Sequence, residues 1–126
     1  MSTWMVRIAV TAVVGAALAL SPAALAKDGV RVAGKCTKAS TSKLKLGRED
    51  AGTEVEFEVD QNRNGVRWRV VLFRNGTRVA SRTSVTRAPS GSFEARFVTS
   101  NRPGVDRFVA KAARVGERCS ARASFA

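Results

Sequence analysis

Histidine and tyrosine are absent from this 126-residue chain, cysteine occurs twice, proline three times, and acidic residues number only 10. Without histidine the commonest general base, proton shuttle and metal ligand is missing, which excludes most hydrolase and metalloenzyme arrangements. The hydroxyls of Ser81, Thr83, Ser84, Thr86, Ser90 and Ser92 therefore have no imidazole to activate them, and Lys111 is the only lysine beyond residue 45. Two cysteines alone cannot complete a zinc site. Asp28, Asp50, Asp60 and Asp106 lack the spacing of a calcium loop. Glu54, Glu56, Glu58 and Asp60 alternate along one stretch, as a solvated sheet surface does, whereas a glycosidase needs two carboxyls facing each other across a cleft. The chain reads as a non-enzyme, with no catalytic residue, metal ligand or cofactor site.

Long apolar runs are equally scarce. The one present opens the chain: Arg7, an apolar stretch from Ile8 to Leu20, then Ser21, Pro22 and the small-residue motif Ala24, Leu25, Ala26. This is the pattern of a secretory signal peptide over residues 1–26, with cleavage near Ala26 and a mature domain over residues 27–126. A secreted, extracellular protein matures where disulfides persist, and two cysteines allow one intramolecular pairing, Cys36 with Cys119. Closing so long a loop stabilises by about 4 to 5 kcal/mol in the chain-entropy model.

Between these limits the chain has a clear rhythm. From Gly52 to Gly116, glycines recur every 11 to 15 residues, and the segments between them alternate with a period of two. Val55, Phe57 and Val59 share one side; so do Leu44 and Leu46, Trp68, Val70 and Leu72, Phe93, Ala95 and Phe97, and Cys119, Ala121, Ala123 and Phe125. Eight strands follow, over about residues 29–36, 42–47, 53–60, 66–74, 77–83, 92–99, 105–113 and 118–125, in an antiparallel sandwich or barrel. The stretch from Ser84 to Gly91, the longest irregular connection, is expected to carry the chain between sheets.

Two hairpins have a predicted register, because directly opposed residues point the same way. A two-residue turn at Asn75 and Gly76 pairs Phe73 with Arg78, Leu72 with Val79 and Arg69 with Arg82. That turn is a better use of Asn75-Gly76-Thr77 than the glycosylation pattern they also match. Matching apolar faces pairs Val59 with Trp68 and Phe57 with Val70, setting Asp60 against Arg67 and Glu58 against Arg69.

Charge is the other strong feature. The mature domain holds 21 basic and 10 acidic residues, and the excess lies entirely after residue 62, where 14 basic residues, 13 of them arginine, face Glu94, Asp106 and Glu117. A basic protein outside the cell attracts polyanions: an anionic wall polymer, a membrane surface or an acidic protein. The competing reading is that the charge only keeps a small domain soluble. Arg67, Arg69, Arg74, Arg78 and Arg82 form the candidate anion-binding surface, with Phe73 adding apolar contact or stacking under a guanidinium. Nucleic acid is disfavoured, because Trp68, Phe57, Phe93, Phe97 and Phe125 fall on core parity, leaving Phe73 as the one aromatic free to stack on bases.

Cys36, Asn75-Gly76, the run from Asn101 through Pro103, Gly104, Val105, Asp106, Arg107, Phe108, Val109 and Ala110, and then Gly116, Glu117 and Cys119 together resemble small exported immunoglobulin-like β-sandwich proteins of actinobacteria. The resemblance covers nearly all of residues 27–126 and implies an all-β, immunoglobulin-like antiparallel β-sandwich of seven to eight strands with one disulfide. It carries over no functional residue. Phe108 stands where such domains often have a corner tyrosine, and has no hydroxyl for that bond. Small apolar-ligand carriers, such as the enediyne-binding apoproteins, and exported protease inhibitors have similar sizes; both usually have two disulfides, and the carriers are acidic. The function expected is non-catalytic binding of an anionic partner at the cell exterior, with a carrier or an inhibitor acting through the Ser84–Gly91 loop as alternatives.

Overall fold

The computed structural model describes residues 29–50 and 52–126; the expected leader lies outside the described residues. Nine strands form, all pairing antiparallel, and no helix occurs among the described residues: β1 Val30–Ala33, β2 Lys35–Cys36, β3 Thr41–Glu49, β4 Gly52–Asp60, β5 Arg67–Arg74, β6 Thr77–Val85, β7 Ser92–Ser100, β8 Asp106–Arg114 and β9 Glu117–Phe125. They make two sheets, ordered β1-β3-β4-β7 and β2-β9-β8-β5-β6. The chain is an antiparallel β-sandwich.

The alternating apolar positions explain the packing. Leu44, Leu46, Val55, Phe57, Val59, Phe93, Ala95 and Phe97 fill the inner face of the four-stranded sheet. Trp68, Val70, Leu72, Phe108, Ala110, Ala112, Cys119 and Ala121 face them from the other sheet. Trp68 tilts against Phe93 with ring centroids 6.0 Å apart, and its indole N–H donates to Gln61 Oε1 at 3.0 Å, so the largest core side chain leaves no unmet polar atom. Cys36 and Cys119 are bonded to each other as directly opposed residues of β2 and β9. The staple thus fastens the edge of one sheet.

Three expectations on topology need correction. The first expected strand divides at Gly34, so that β1 joins one sheet and β2 the other. A Cβ at Gly34 would lie 2.6 Å from the Ser120 carbonyl oxygen and 2.9 Å from Ala121 Cβ; only glycine lets the chain pass there from one sheet to the other. Second, β4 does not pair with β5. Its neighbours are β3 and β7, so Val59 opposes Ser42 and Phe93 rather than Trp68, and Glu58 opposes Lys43 and Glu94 rather than Arg69. Residues 61–66 are long enough to cross the ~10 Å between packed sheets, and their Asn64-Gly65 pair, a hairpin signal in the sequence, serves the crossing instead, where Gly65 at φ 78° donates its N–H to the Thr86 carbonyl. Third, the Asn75-Gly76 turn forms with φ of 50° and 86°, and Phe73 does oppose Arg78, but a bulge at Val79 shifts the rest. Leu72 opposes Ala80 and Arg69 opposes Thr83.

The connection after β6 does cross between sheets, as expected, and it is fastened to the β4–β5 crossing. The Thr86 hydroxyl donates to the Arg63 carbonyl at 2.6 Å and accepts from Val66 N–H at 2.9 Å, while its backbone bonds to Gly65 and Val66. Gly91 O accepts from the amides of Gln61 and Asn62.

Candidate cationic face

Register fixes which side chains share the outer face of the five-stranded sheet. On β5 the inward positions are Trp68, Val70 and Leu72, so Arg67, Arg69, Val71 and Phe73 point out. Pairing then carries the assignment across the sheet. Arg69 is opposite Ala113, and Ala113 is opposite Arg118. Val71 is opposite Lys111, Lys111 opposite Ser120, and Ser120 opposite Lys35. Phe73 is opposite Val109 on one side and Arg78 on the other, and Val109 is opposite Arg122. Arg107, two residues before Val109, completes the set.

Eight cations therefore stand on this face: Arg67 and Arg69 on β5, Arg78 on β6, Arg107 and Lys111 on β8, Arg118 and Arg122 on β9, and Lys35 on β2. Among the described residues, no acidic side chain accompanies them. The two carboxylates of these strands, Asp106 and Glu117, point into the sandwich and are buried. The Lys111 ammonium sits 5.4 Å from the centre of the Phe73 ring. The aromatic thus meets a lysine where an arginine was expected, and it is half-buried by the neighbours that flank it.

The outer face of the other sheet has the opposite character. Glu54, Glu56, Glu58 and Asp60 line up on β4, and β3 and β7 supply their partners: Lys43 to Glu58 at 3.2 Å, Lys45 to Glu56 at 3.2 Å, and Arg96 to both Glu54 and Glu49. The hydrogen bond to Glu54, which outweighs desolvation, together with the charges of Glu54, Glu49 and Glu56, holds the Arg96 guanidinium more firmly protonated than usual. The cations of β3 and β7 on this face are thus engaged by its carboxylates, while Asp60 and Glu94 leave it with an acidic excess. The β4 acids expected opposite Arg67 and Arg69 stand on the other sheet, so acidic and basic rows are separated onto two faces.

Of the candidate anion-binding residues, Arg67, Arg69, Arg78 and Phe73 come together as expected. Arg74 and Arg82 do not. Arg74 has inward parity and is buried, with its Nη2 donating to Asp106 Oδ2 at 2.6 Å and its guanidinium 5.6 Å from the Phe108 ring centre. Arg82 opposes buried Val70, so it starts from the inner side of edge strand β6. There it lies 4.6 Å from the Phe97 ring centre and donates to the Arg96 carbonyl at 2.7 Å, covering the open side between β6 and β7. Lys35, Arg107, Lys111, Arg118 and Arg122 were missing from the expected surface. For Arg118 and Arg122 the outward parity was readable, since Cys119 and Ala121 were already inward; the place of all five beside β5 was not.

Within the face, between β2, β9, β8 and β5, is a depression of about 530 Å³ with Lys35, Arg69, Val71, Lys111, Ala113 and Arg118 on its lining. Among the described residues, one group of potential metal-binding side chains, Cys36, Cys119 and Glu117, lies close together, and it is already committed: the sulfurs are bonded to each other. The Glu117 carboxylate accepts from Lys38 N–H, Ser40 N–H, the Ser40 hydroxyl and Arg114. The chain has no significant match among family models, curated proteins or solved structures.

Proposed function

We propose that the protein is a non-catalytic binder of a linear polyanion outside the cell, which it holds on the outer face of the five-stranded sheet. The carrying observation is the segregation of charge: among the described residues, eight cations without one exposed carboxylate on one face, against a face opposite on which carboxylates outnumber cations and most cations are paired. A charge that served only solubility would need no such sorting. The cations spread over all five strands, which suits a ligand whose negative groups repeat along a chain, such as an anionic wall polymer. The bonded Cys36–Cys119 pair, the leader-like residues 1–26 and the likeness to exported immunoglobulin-like proteins support an extracellular setting.

The alternatives draw less support. A carrier of apolar ligands needs room between the sheets, where Trp68, Phe57, Phe108, Leu44 and Leu72 are packed without exposure. An inhibitor needs a projecting loop, whereas the 86–91 connection is tied back through Thr86 and Gly91.

Retention on immobilised polyphosphate tests the proposal. Arg118→Glu with Arg122→Glu should lower the log–log salt slope by about two, roughly one per lost phosphate contact. Arg31→Glu with Lys43→Glu changes net charge equally on the opposite sheet and should alter the slope far less. Equal losses from both pairs would assign the retention to net charge alone and overturn the proposed face.

A further inference from the structure

The depression in the cationic face has a composition that a hydrophilic polymer would not use. In one row across the sheet, Ala113 lies between Arg118 and Arg69; in the next, Ser120 lies between Lys35 and Lys111. Each small residue is flanked on both sides by a long cation, and neighbouring strands are ~4.8 Å apart. The paired cations therefore start ~10 Å apart and can lean over the gap together. Alanine is depleted in strands, which favour side chains that cover the sheet, so a small residue on central strand β8 leaves floor exposed. That floor is largely apolar, made by Val71, Ala113 and the methylene stems of the flanking cations, with Ser120 and Thr37 at its β9–β2 side. Lys111 directs its ammonium to Phe73, which leaves Arg69, Arg118 and Lys35 to meet an anion.

We propose that this groove is a site for a single-chain amphiphilic phosphate monoester, free in solution, with its phosphate held between Arg69 and Arg118 and its alkyl chain along the Val71–Ala113 floor. Two guanidiniums can meet a phosphate through paired N–H···O bonds, and Lys35 adds charge for a dianion. A volume of about 530 Å³ suits one chain. The site rests on the proposed face for its charge, but adds an apolar requirement that the face alone does not have.

Calorimetry with dodecyl phosphate below its aggregation concentration tests it, with inorganic phosphate, dodecyl maltoside and diacyl phosphatidic acid vesicles as the other arms. Dodecyl phosphate should bind at least about tenfold more tightly than inorganic phosphate or the maltoside, a difference the apolar floor and the guanidiniums must each help to supply. Ala113→Phe fills the groove from an exposed position; Arg69→Gln with Arg118→Gln removes the charge. Each should weaken dodecyl phosphate about tenfold or more, while Ala113→Phe leaves polyphosphate retention unchanged. Equal binding of inorganic phosphate or of the maltoside, binding to vesicles without binding of the monomer, or indifference to Ala113→Phe would overturn the site. Loss of the amphiphile result with polyphosphate retention intact defeats the groove alone. The converse defeats the polymer face and leaves the groove standing.

Discussion

Arg74 and Asp106 show how a single charge pair decides local structure. Arginine inside a sandwich is costly unless its charge is paired, and here Nη2 bonds to Asp106 and the guanidinium lies against the Phe108 ring, while Nε is buried without a partner. Asn75 joins them, donating to Asp106 Oδ1 at 2.9 Å while its own side-chain oxygen accepts from Arg107 N–H at 2.8 Å. The β5–β6 turn is thereby anchored to the start of β8. Asp106→Ala should destabilise by about 3 to 5 kcal/mol because it strands a buried guanidinium, whereas Arg74→Met with Asp106→Leu should cost much less than the sum of the single changes. Urea unfolding of the three variants measures this; additive losses would show the pair does not act as a unit. The Arg74 hydrogen bond, against desolvation and with help from Asn75, holds the Asp106 carboxyl below its usual range. For Glu117, burial pushes upward but the Ser40 hydrogen bonds and Arg114 outweigh it, so it too is held low. Both carboxylates therefore contribute stability fully above their ordinary pKa values of about 4, and that contribution falls away as pH drops through the lowered folded-state values. Unfolding midpoints should fall with acid below about pH 4, less steeply in Glu117→Gln. Arg74 was expected among the exposed arginines, although strict alternation sets it in step with Trp68, Val70 and Leu72, the inward side on which it is buried. What could not be read from β5 was the partner, because Asp106 lies 32 residues away on a strand that only the folded sheet brings alongside.

At the scale of elements, the strands themselves were well determined by period, and their neighbours were not. Apolar alternation marks an inner face without saying which strand lies beside it, so β4, with its acidic outer row, fits beside arginine-rich β5 as well as beside lysine-bearing β3. The crossing at 61–66 decides the matter through the backbone of Thr86, Gly65 and Val66. The bulge at Val79 was equally invisible, since a regular two-residue turn implies an unbroken register. Gly34 carries the sharpest element-level consequence. Gly34→Val should detach β2 from β9, because its Cβ meets backbone oxygen and Ala121, and should cost about 2 kcal/mol or more, as overpacking does. Amide exchange at Thr37 and Lys35 should speed up while that of β5 and β8 does not; uniform acceleration across both sheets would mean that the switch is part of the global core. Removing both sulfurs, as Cys36→Ser with Cys119→Ser, should lower stability by about 4 kcal/mol if the bond acts mainly on the unfolded chain.

For the whole molecule, the separation of charge between two faces has a cost as well as a use. The exposed cations on one face repel one another with no carboxylate to offset them, and this repulsion is screened within a Debye length of ~8 Å at physiological ionic strength. Added sodium chloride should therefore raise the thermal midpoint, in contrast to a surface built on exposed ion pairs, which salt weakens. Multivalent anions should raise it further at equal ionic strength, because they bind the folded face and not the dispersed charges of the unfolded chain. The total excess of arginine was evident from composition, but its concentration on one face arises because β2, β8 and β9 assemble beside β5, bringing Lys35, Lys111, Arg118 and Arg122 to Arg69. Absence of histidine extends the argument. Between pH 5 and 7 lysine and arginine keep their charge and ordinary carboxylates keep theirs, so binding of a ligand with fixed sulfate charges should be flat across that range. A phosphate monoester gains its second charge near pH 6, so its affinity should rise through the same range while a sulfate ester of equal chain length stays constant. Parallel titrations of dodecyl phosphate and dodecyl sulfate check this directly: a slope with the sulfate would place the titrating group on the protein, where no side chain of the right kind exists, and would contradict recognition by permanent cations.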